Sequence, residues 1–510
     1  MAQRIKSPFK ILEYNSENLA IALKNKFTSI ETIKKKFHYK YFLEYLDEGN
    51  DSLQVKSILI ERNYISKSYL VDYSQYYSTC FKKYPKTCSR IHFFTEYIDE
   101  TIFKQMISEN AHKHIWDSYA GYVVIKPLPD AKIGATIIKT YNSTNEKRRH
   151  YPCVKEYTIN IFGKQCSIKS LAFMEQDEIV SACATTALWS AFHKVSQLFQ
   201  TPLPSPIEIT RSAQLSQNET GRTFPSIGLD LNQIAKAIDS VGLVAEMRNE
   251  VKIGNDHTEN LIKALIYSYL RAELPVLLGV KSASNPINKH LITITGYKER
   301  ILEYNPTDRI SLKANQIEQF YAHDDQTGPF SRISFINENQ IQTEQIDKTS
   351  NEKYKATIVS ITIPVHPEIR ITFEDIHSQI LALDSILFEI FNKEPIEFVW
   401  DIYLSFSNQY KIDVREGLEY STNLRKKLLF MQLPKYIWVA KCTLNKLPIF
   451  DLIYDATAIN TADDYCLSIN IFHPEFNTVF KEKVKEKSIA DFFREKLSVH
   501  YINLIEDNLA

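Results

Sequence analysis

The strongest amphipathic signal in the chain begins at residue 183. Apolar side chains recur at Ala184, Ala187, Leu188, Ala191, Phe192, Val195, Leu198 and Phe199, the rhythm of a helix with one buried face. Before it, the pattern changes character near residue 120. Up to that point the apolar positions predict mainly helices, among them Leu19 to Phe27 and Ser29 to Phe37. From there, Gly121-Tyr-Val-Val-Ile, closed by Pro127 and Pro129, predicts a buried strand, and Thr136 to Tyr141 and Tyr157 to Phe162 predict two more.

Beyond the Cys183 helix, Thr201 to Pro206 is a proline-rich loop and Ile207 to Leu215 a short helix. Asp230 caps a helix that runs through Ile234 and Ile238 and stops at Gly242. A further helix from Thr258 to Glu273 precedes the short buried strand Val276-Leu-Leu-Gly-Val and an alternating strand from His290 to Tyr297. The polar stretch Asn337 to Lys355 predicts a linker. After it, strands near Ala356 to Ile363, Val399 to Leu404, Tyr436 to Ala440 and Cys466 to Phe472 mix with helices at Phe373 to Phe391 and Ile489 to Leu504. The expectation is an α+β chain in four parts: a mainly helical region 1–120, a central domain 121–336 that begins with a β region, a linker 337–355, and an α+β region 356–510.

A chain of 510 residues exceeds what one core holds. Lys+Arg and Asp+Glu both number 61, so net charge gives no pull toward nucleic acid. The 12 glycines form neither GxxxxGK[ST] nor GxGxxG, which argues against a nucleotide-driven enzyme. No apolar run is long enough to predict a membrane span, and Met1 to Pro8 lacks the apolar core of an export signal. The seven cysteines are scattered with no CxxC pair, which argues against a zinc ribbon and fits reduced thiols in a cytoplasm.

Against that background Cys183 matters for its position. A thiol at a helix N-terminus meets the positive end of the helix dipole and unpaired N–H groups, which favour the thiolate. The plainer alternative is a packing cysteine. A nucleophilic thiol also needs a base, a group that orients the base, and donors for the developing oxyanion. His290 follows the polar segment Lys281 to Lys289 and opens a strand, which puts an imidazole at a strand entrance. The run His323-Asp324-Asp325 admits a metal reading, but neighbours on a strand point to opposite faces and make poor joint ligands. Neither metal nor any other cofactor is expected.

The order Gln176, Cys183 and its helix, then Leu274-Pro-Val-Leu-Leu-Gly-Val, then Lys289-His290-Leu-Ile-Thr-Ile-Thr-Gly-Tyr297, resembles the papain-like cysteine peptidases. Within them it is most similar to the compact bacterial branch that includes bacteriocin-leader peptidases, over about residues 172–335. The chain departs from that pattern in the spacing from Gln176, in Ala182 where relatives often carry aspartate, and in Ala184 where glycine is common. The resemblance implies a Cys183-bearing helix packed on an antiparallel sheet that carries His290. It further implies Cys183 as nucleophile, His290 as base, and Gln176 with the Cys183 N–H as oxyanion donors. Two residues compete to orient His290: Asn305, in the stretch after its hairpin, and Asp324, at a strand end followed by Gly328-Pro329. The implied activity is acyl transfer on a protein or peptide substrate, by a peptidase or amidase. Transfer to an amine, as in a transglutaminase-like reaction, and an inactive scaffold whose flanking regions bind a partner protein are the alternatives.

Overall fold

The computed structural model describes residues 7–142, 147–177, 179–214, 228–249, 261–282, 289–300, 310–337, 339–346, 352–390, 398–444, 447–459, 465–484, 486, 491, 500–501 and 503–504. The chain is α+β and divides into two compact units, neither continuous in sequence. The first comprises Met1–Lys252, Leu274–Lys298 and Gln319–Pro364; the second comprises Ile253–Glu273, Glu299–Glu318 and Val365–Ala510. Among the described residues no helix is long and apolar enough to cross a membrane.

The first unit opens with a five-stranded antiparallel sheet whose strands are interleaved with the helices Ser16–Leu23, Ile30–Lys35, Phe37–Leu43, Lys67–Gln75 and Glu100–Ser108. The helical content of 1–120 is as the sequence reads, and the strands between the helices are the departure. The sheet's strands, Phe9–Glu13, Ser57–Tyr64, Cys88–Phe94, Tyr119–Ile125 and Ile133–Ile138, pair in chain order. Neighbouring Ile91, Phe93 and Phe94 are all fully buried. A strand covered on both faces shows no period-two alternation, so its sequence does not separate it from a helix.

The second sheet of this unit contains a closed barrel of six strands. Val276–Ser282, Lys289–Glu299, Ile317–Asp324, Gly328–Phe335, Gln340–Ile346 and Lys353–Val365 follow one another around it. Lys353–Val365 then pairs back onto Val276–Ser282, with Leu277 opposite Thr362. The register of that closing pair slips between Gly279 and Val280. A Cβ at position 279 would lie 2.1 Å from the Ser360 hydroxyl, so a larger residue there would force Ser360 to turn its hydroxyl away. The stretch expected as a linker therefore supplies two barrel strands. In Gln340–Ile346 only Ile341 and Thr343 are buried, an alternation carried by too few apolar residues to stand out.

The amphipathic helix runs Cys183–Phe199 and ends where Gln200 turns left-handed at φ 57°. Its buried face includes Ala184, Ala187, Leu188, Ala191, Phe192 and Val195. It docks on the barrel through a specific bond: the Thr293 hydroxyl donates to the Ala187 carbonyl at 3.0 Å. This fixes the start of the helix relative to the strand that carries His290. Pro206–Ala213 and Leu231–Asp239 follow as helices, each opened by a capping box, at Ser205 with Glu208 and at Asp230 with Gln233.

The second unit is built on a sheet ordered Ser311–Leu312, Phe398–Phe406, Tyr436–Leu444, Leu447–Asp455 and Cys466–Ile471. Helices Leu261–Arg271 and Phe373–Ile390 belong to this unit, and Trp400 and Trp438 are fully buried in it. Arg271 and Tyr267 both bind the Asp401 carboxylate, at 3.0 Å each.

Candidate functional site

Cys183 is the first residue of its helix, and Ala182 before it is extended, with φ −97° and ψ 176°. The N-cap contributes no side-chain hydrogen bond, so the first-turn N–H groups are not capped from that residue. The segment leading into the helix is instead held from Asp177. Asp177 Oδ1 accepts N–H bonds from Ile179 at 3.2 Å and from Val180 and Ser181 at 2.9 Å each. Its Oδ2 accepts from the Tyr77 hydroxyl at 2.9 Å and meets Lys126 Nζ at 3.5 Å. Burial would push the Asp177 carboxyl up, but the Lys126 charge and these hydrogen bonds hold it below the usual carboxylate range. On the other side of Gln176, the Glu175 carboxylate pairs with Lys36 at 3.0 Å and accepts the Ile133 N–H at 2.8 Å. Gln176 is thus half-buried between two anchored acids.

His290 lies near the start of the strand Lys289–Glu299, opposite Val280. Its Nε2 donates to Asp324 Oδ1 at 2.8 Å. Asp324 ends the strand Ile317–Asp324 and is fixed by two further donors, the Gln326 N–H at 3.0 Å and the Thr327 hydroxyl at 3.0 Å. Burial opposes ionisation of Asp324, yet the His290 charge and these hydrogen bonds hold its carboxyl low. Burial likewise would depress His290, but Asp324, Cys183 and Asp325 together raise the imidazole well above its ordinary range. With Nε2 engaged by Asp324, Nδ1 is the nitrogen left for the thiol. Cys183 contributes to the rise as a hydrogen-bonding neighbour, while Nδ1 meets no partner at closed hydrogen-bond geometry. The thiol is thus close enough to the imidazole to favour its charged form without a closed hydrogen bond to Nδ1.

Asp325, which the sequence offers only as a member of a poor metal-ligand run, faces the same imidazole as Asp324. Its Oδ1 lies 3.5 Å from His290 Nε2, and its side chain is 3% exposed. Both carboxylate oxygens lack a hydrogen-bond partner; the Gln176 N–H approaches without closing a bond. Burial pushes this carboxyl up to about 7, with the His290 charge opposing and the Asp324 and Glu175 charges reinforcing. The expectation that neighbouring acids face apart fails here for a local reason. The pairing with Gly328–Phe335 shifts register between Ala322 and Asp324, and the strand ends at Asp324. Asp325 has left the pleat and turns to the same imidazole. The alternation does hold for His323, whose Nε2 donates to the Leu171 carbonyl at 3.1 Å and whose Nδ1 accepts the Phe330 N–H at 3.1 Å. His323 is thus a buried structural histidine, pushed down to about 3 by burial. Among the described residues, the side chains grouped so that they could hold a cation are His290, Asp324 and Asp325, with one ligand atom of each within 4.8 Å of the others.

The N-terminal region contributes to the site directly. His38 Nε2 donates to the Asp325 carbonyl at 2.8 Å, and the Tyr41 hydroxyl donates to the Pro329 carbonyl at 2.6 Å. Both come from the helix Phe37–Leu43 and clamp the turn that presents the two acids.

Of the five residues singled out in the sequence, Cys183, His290 and Asp324 come together, and Gln176 stands in the anchored segment before the helix. Asn305 lies outside the described residues. The fold thus supplies a thiol on a helix start, an imidazole with one nitrogen open, and a buried carboxylate behind it. No protein-family model matches this chain, and no curated protein matches it.

Proposed function

We propose that the protein is a cysteine-dependent acyl-transfer enzyme of the papain-like type, a peptidase or amidase acting on a protein or peptide substrate. The observation that carries this reading is the polarity of His290. Its Nε2 is bound to the buried Asp324 carboxylate, and Nδ1 is left for a thiol on the first turn of a helix. A histidine buried only for packing has no need of a carboxylate on one nitrogen and an open second nitrogen.

In this reading the Cys183 thiol gives its proton to His290 Nδ1 and the sulfur attacks the substrate carbonyl carbon. The C=O electron pair moves to oxygen, where the Cys183 N–H and Gln176 are the candidate donors. When the tetrahedral adduct collapses, the C–N bond breaks and Nδ1 returns its proton to the departing amine. Water then attacks the thioester, giving one proton to Nδ1, and the acid and free thiol are released. Throughout, Asp324 keeps the proton on Nε2 and offsets the charge on the ring.

The test is competitive labelling with iodoacetamide at neutral pH. Cys442 and Cys466 are buried in the second unit, and burial pushes Cys466 up to about 12. Cys183 is expected to react first by a wide margin. Equal rates for the three thiols would sink the nucleophile. A peptide library compared between wild type and Cys183→Ala then separates an active enzyme from an inactive scaffold, and added amine separates hydrolysis from transfer.

A further inference from the structure

The geometry points to a second occupant for the candidate site: His290, Asp324 and Asp325 form a binding site for one divalent cation of the zinc class, which switches off His290 as a base. The inhibitory consequence rests on the proposed function; the binding itself does not.

Three observations carry the site. The first is spacing. A tetrahedral ion with Zn–N and Zn–O bonds near 2.0–2.2 Å sets its ligand atoms about 3.3–3.5 Å apart. His290 Nε2 lies 2.8 Å from Asp324 Oδ1 and 3.5 Å from Asp325 Oδ1, so a small opening of one contact makes room. The second is the orphaned acid. Asp325 is buried, aims Oδ1 at Nε2, and has no hydrogen-bond donor on either oxygen. A buried carboxyl that accepts no hydrogen bond, with a ring nitrogen at 3.5 Å as its charged neighbour, is costly unless something pairs with it more closely. The third is support behind the ligands. The Gln326 N–H and Thr327 hydroxyl bind Asp324, and His38 holds the Asp325 backbone. Such outer partners are what fix metal ligands in place.

The donor set selects the ion. One imidazole and two carboxylates suit zinc and its neighbours, whereas calcium and magnesium ask for six or more oxygens. Two carboxylates and a neutral ring also balance a divalent charge.

The switch follows from the tautomer. A cation on Nε2 takes the lone pair of that nitrogen, so the single proton of the neutral ring resides on Nδ1. Nδ1 then has no lone pair for the thiol proton. The neighbouring carboxylates favour the doubly protonated ring, so binding releases the Nε2 proton to solvent and leaves the one on Nδ1.

The test is calorimetric titration of the full chain with zinc chloride, in the Cys183→Ala background so that thiol binding cannot contribute. One saturable site per chain is expected. Adding Asp325→Asn should weaken it at least about 10-fold, the low end for disturbing even an outer partner of a metal site. Adding His290→Ala should do the same, and circular dichroism checks that both variants fold. Replacing zinc by cobalt gives a visible absorption band that both substitutions should remove. No saturable site in Cys183→Ala, or one that survives both substitutions, overturns the proposal. Iodoacetamide labelling of metal-free wild type judges the nucleophile separately, so either idea can fail without the other.

Discussion

Replacing Asp177 with alanine should unfasten the segment that delivers Cys183. Lys126 and Asp177 side chains are each 1% exposed, and their ion pair at 3.5 Å is the contact that neutralises the lysine nearby. Removing one partner of a buried pair costs about 3–5 kcal/mol, because the other charge stays in a poor environment. Three backbone N–H groups and the Tyr77 hydroxyl lose their acceptor at the same time. Such losses are not additive, so the expectation is about 3–5 kcal/mol, a large share of the roughly 5–15 kcal/mol that holds a domain folded. Urea unfolding followed by tryptophan fluorescence measures it, since Trp116 and Trp189 report on the first unit and Trp400 and Trp438 on the second. Only the transition of the first unit should move. The pH dependence has a definite sign. The Asp177 carboxyl is held below its usual range in the fold, so it contributes stability above the unfolded-state value that is lost as pH falls through the folded one. Asp177→Asn keeps an acceptor for the N–H groups but should erase that acid-sensitive part. If Asp177→Ala stays within about 1 kcal/mol of wild type, the size of a surface substitution, and Cys183 labels normally, the anchoring argument is wrong.

Three further substitutions probe other links. Asp324→Asn can keep an oxygen toward His290 and Gln326 while losing the charge. It should slow Cys183 alkylation about 5–30-fold, the roughly 1–2 kcal/mol between a charged and a neutral hydrogen bond; unchanged kinetics would remove Asp324 from the mechanism. Gly328→Ala places a Cβ 2.3 Å from the buried Tyr41 ring, and a thermal melt should show the roughly 1–3 kcal/mol loss typical of overpacking. In the second unit, burial pushes Asp384 up to about 7 while it accepts the Trp400 Nε1–H at 2.8 Å. The protonated acid is the form that suits the fold, so its contribution is complete below the unfolded-state value and fades as pH rises through about 7. Asp384→Asn, which mimics that form, should therefore be more stable than wild type by up to about 4 kcal/mol in unfolding curves at pH 8–9, and equal stability there would refute it.

Much of the candidate site was legible because its signals are local. The start of the Cys183 helix follows from apolar periodicity and the strand position of His290 from alternation. Asp324 is legible as one of two candidates, beside Asn305, from a strand end before Gly328-Pro329. Local signals fail where the cause is distant. The Lys353–Val365 strand pairs with Val276–Ser282, some eighty residues earlier, and nothing within Asn337 to Lys355 announces that partner. Strand alternation predicts that Asp325 faces away from Asp324, and the register shift that breaks the alternation exists only in the pairing with a later strand. Asp177 looks like any polar residue in sequence, since its acceptors' role depends on Tyr77 and Lys126 from other elements.

These distant contacts change what the N-terminal region is for. His38 and Tyr41 hold the backbone on either side of the acidic turn, and Lys36 holds Glu175 beside Gln176. All three come from within six residues of one another, yet they reach segments more than a hundred residues away. A turn that presents two carboxylates to one imidazole is under electrostatic pressure to open, because the second acid gains no hydrogen bond for its burial. Bonds to the backbone resist that opening without spending the carboxylate oxygens themselves. The clamp therefore explains how Asp325 stays at His290 with its oxygens free, and it makes the first forty-odd residues part of the site's architecture rather than an appended domain.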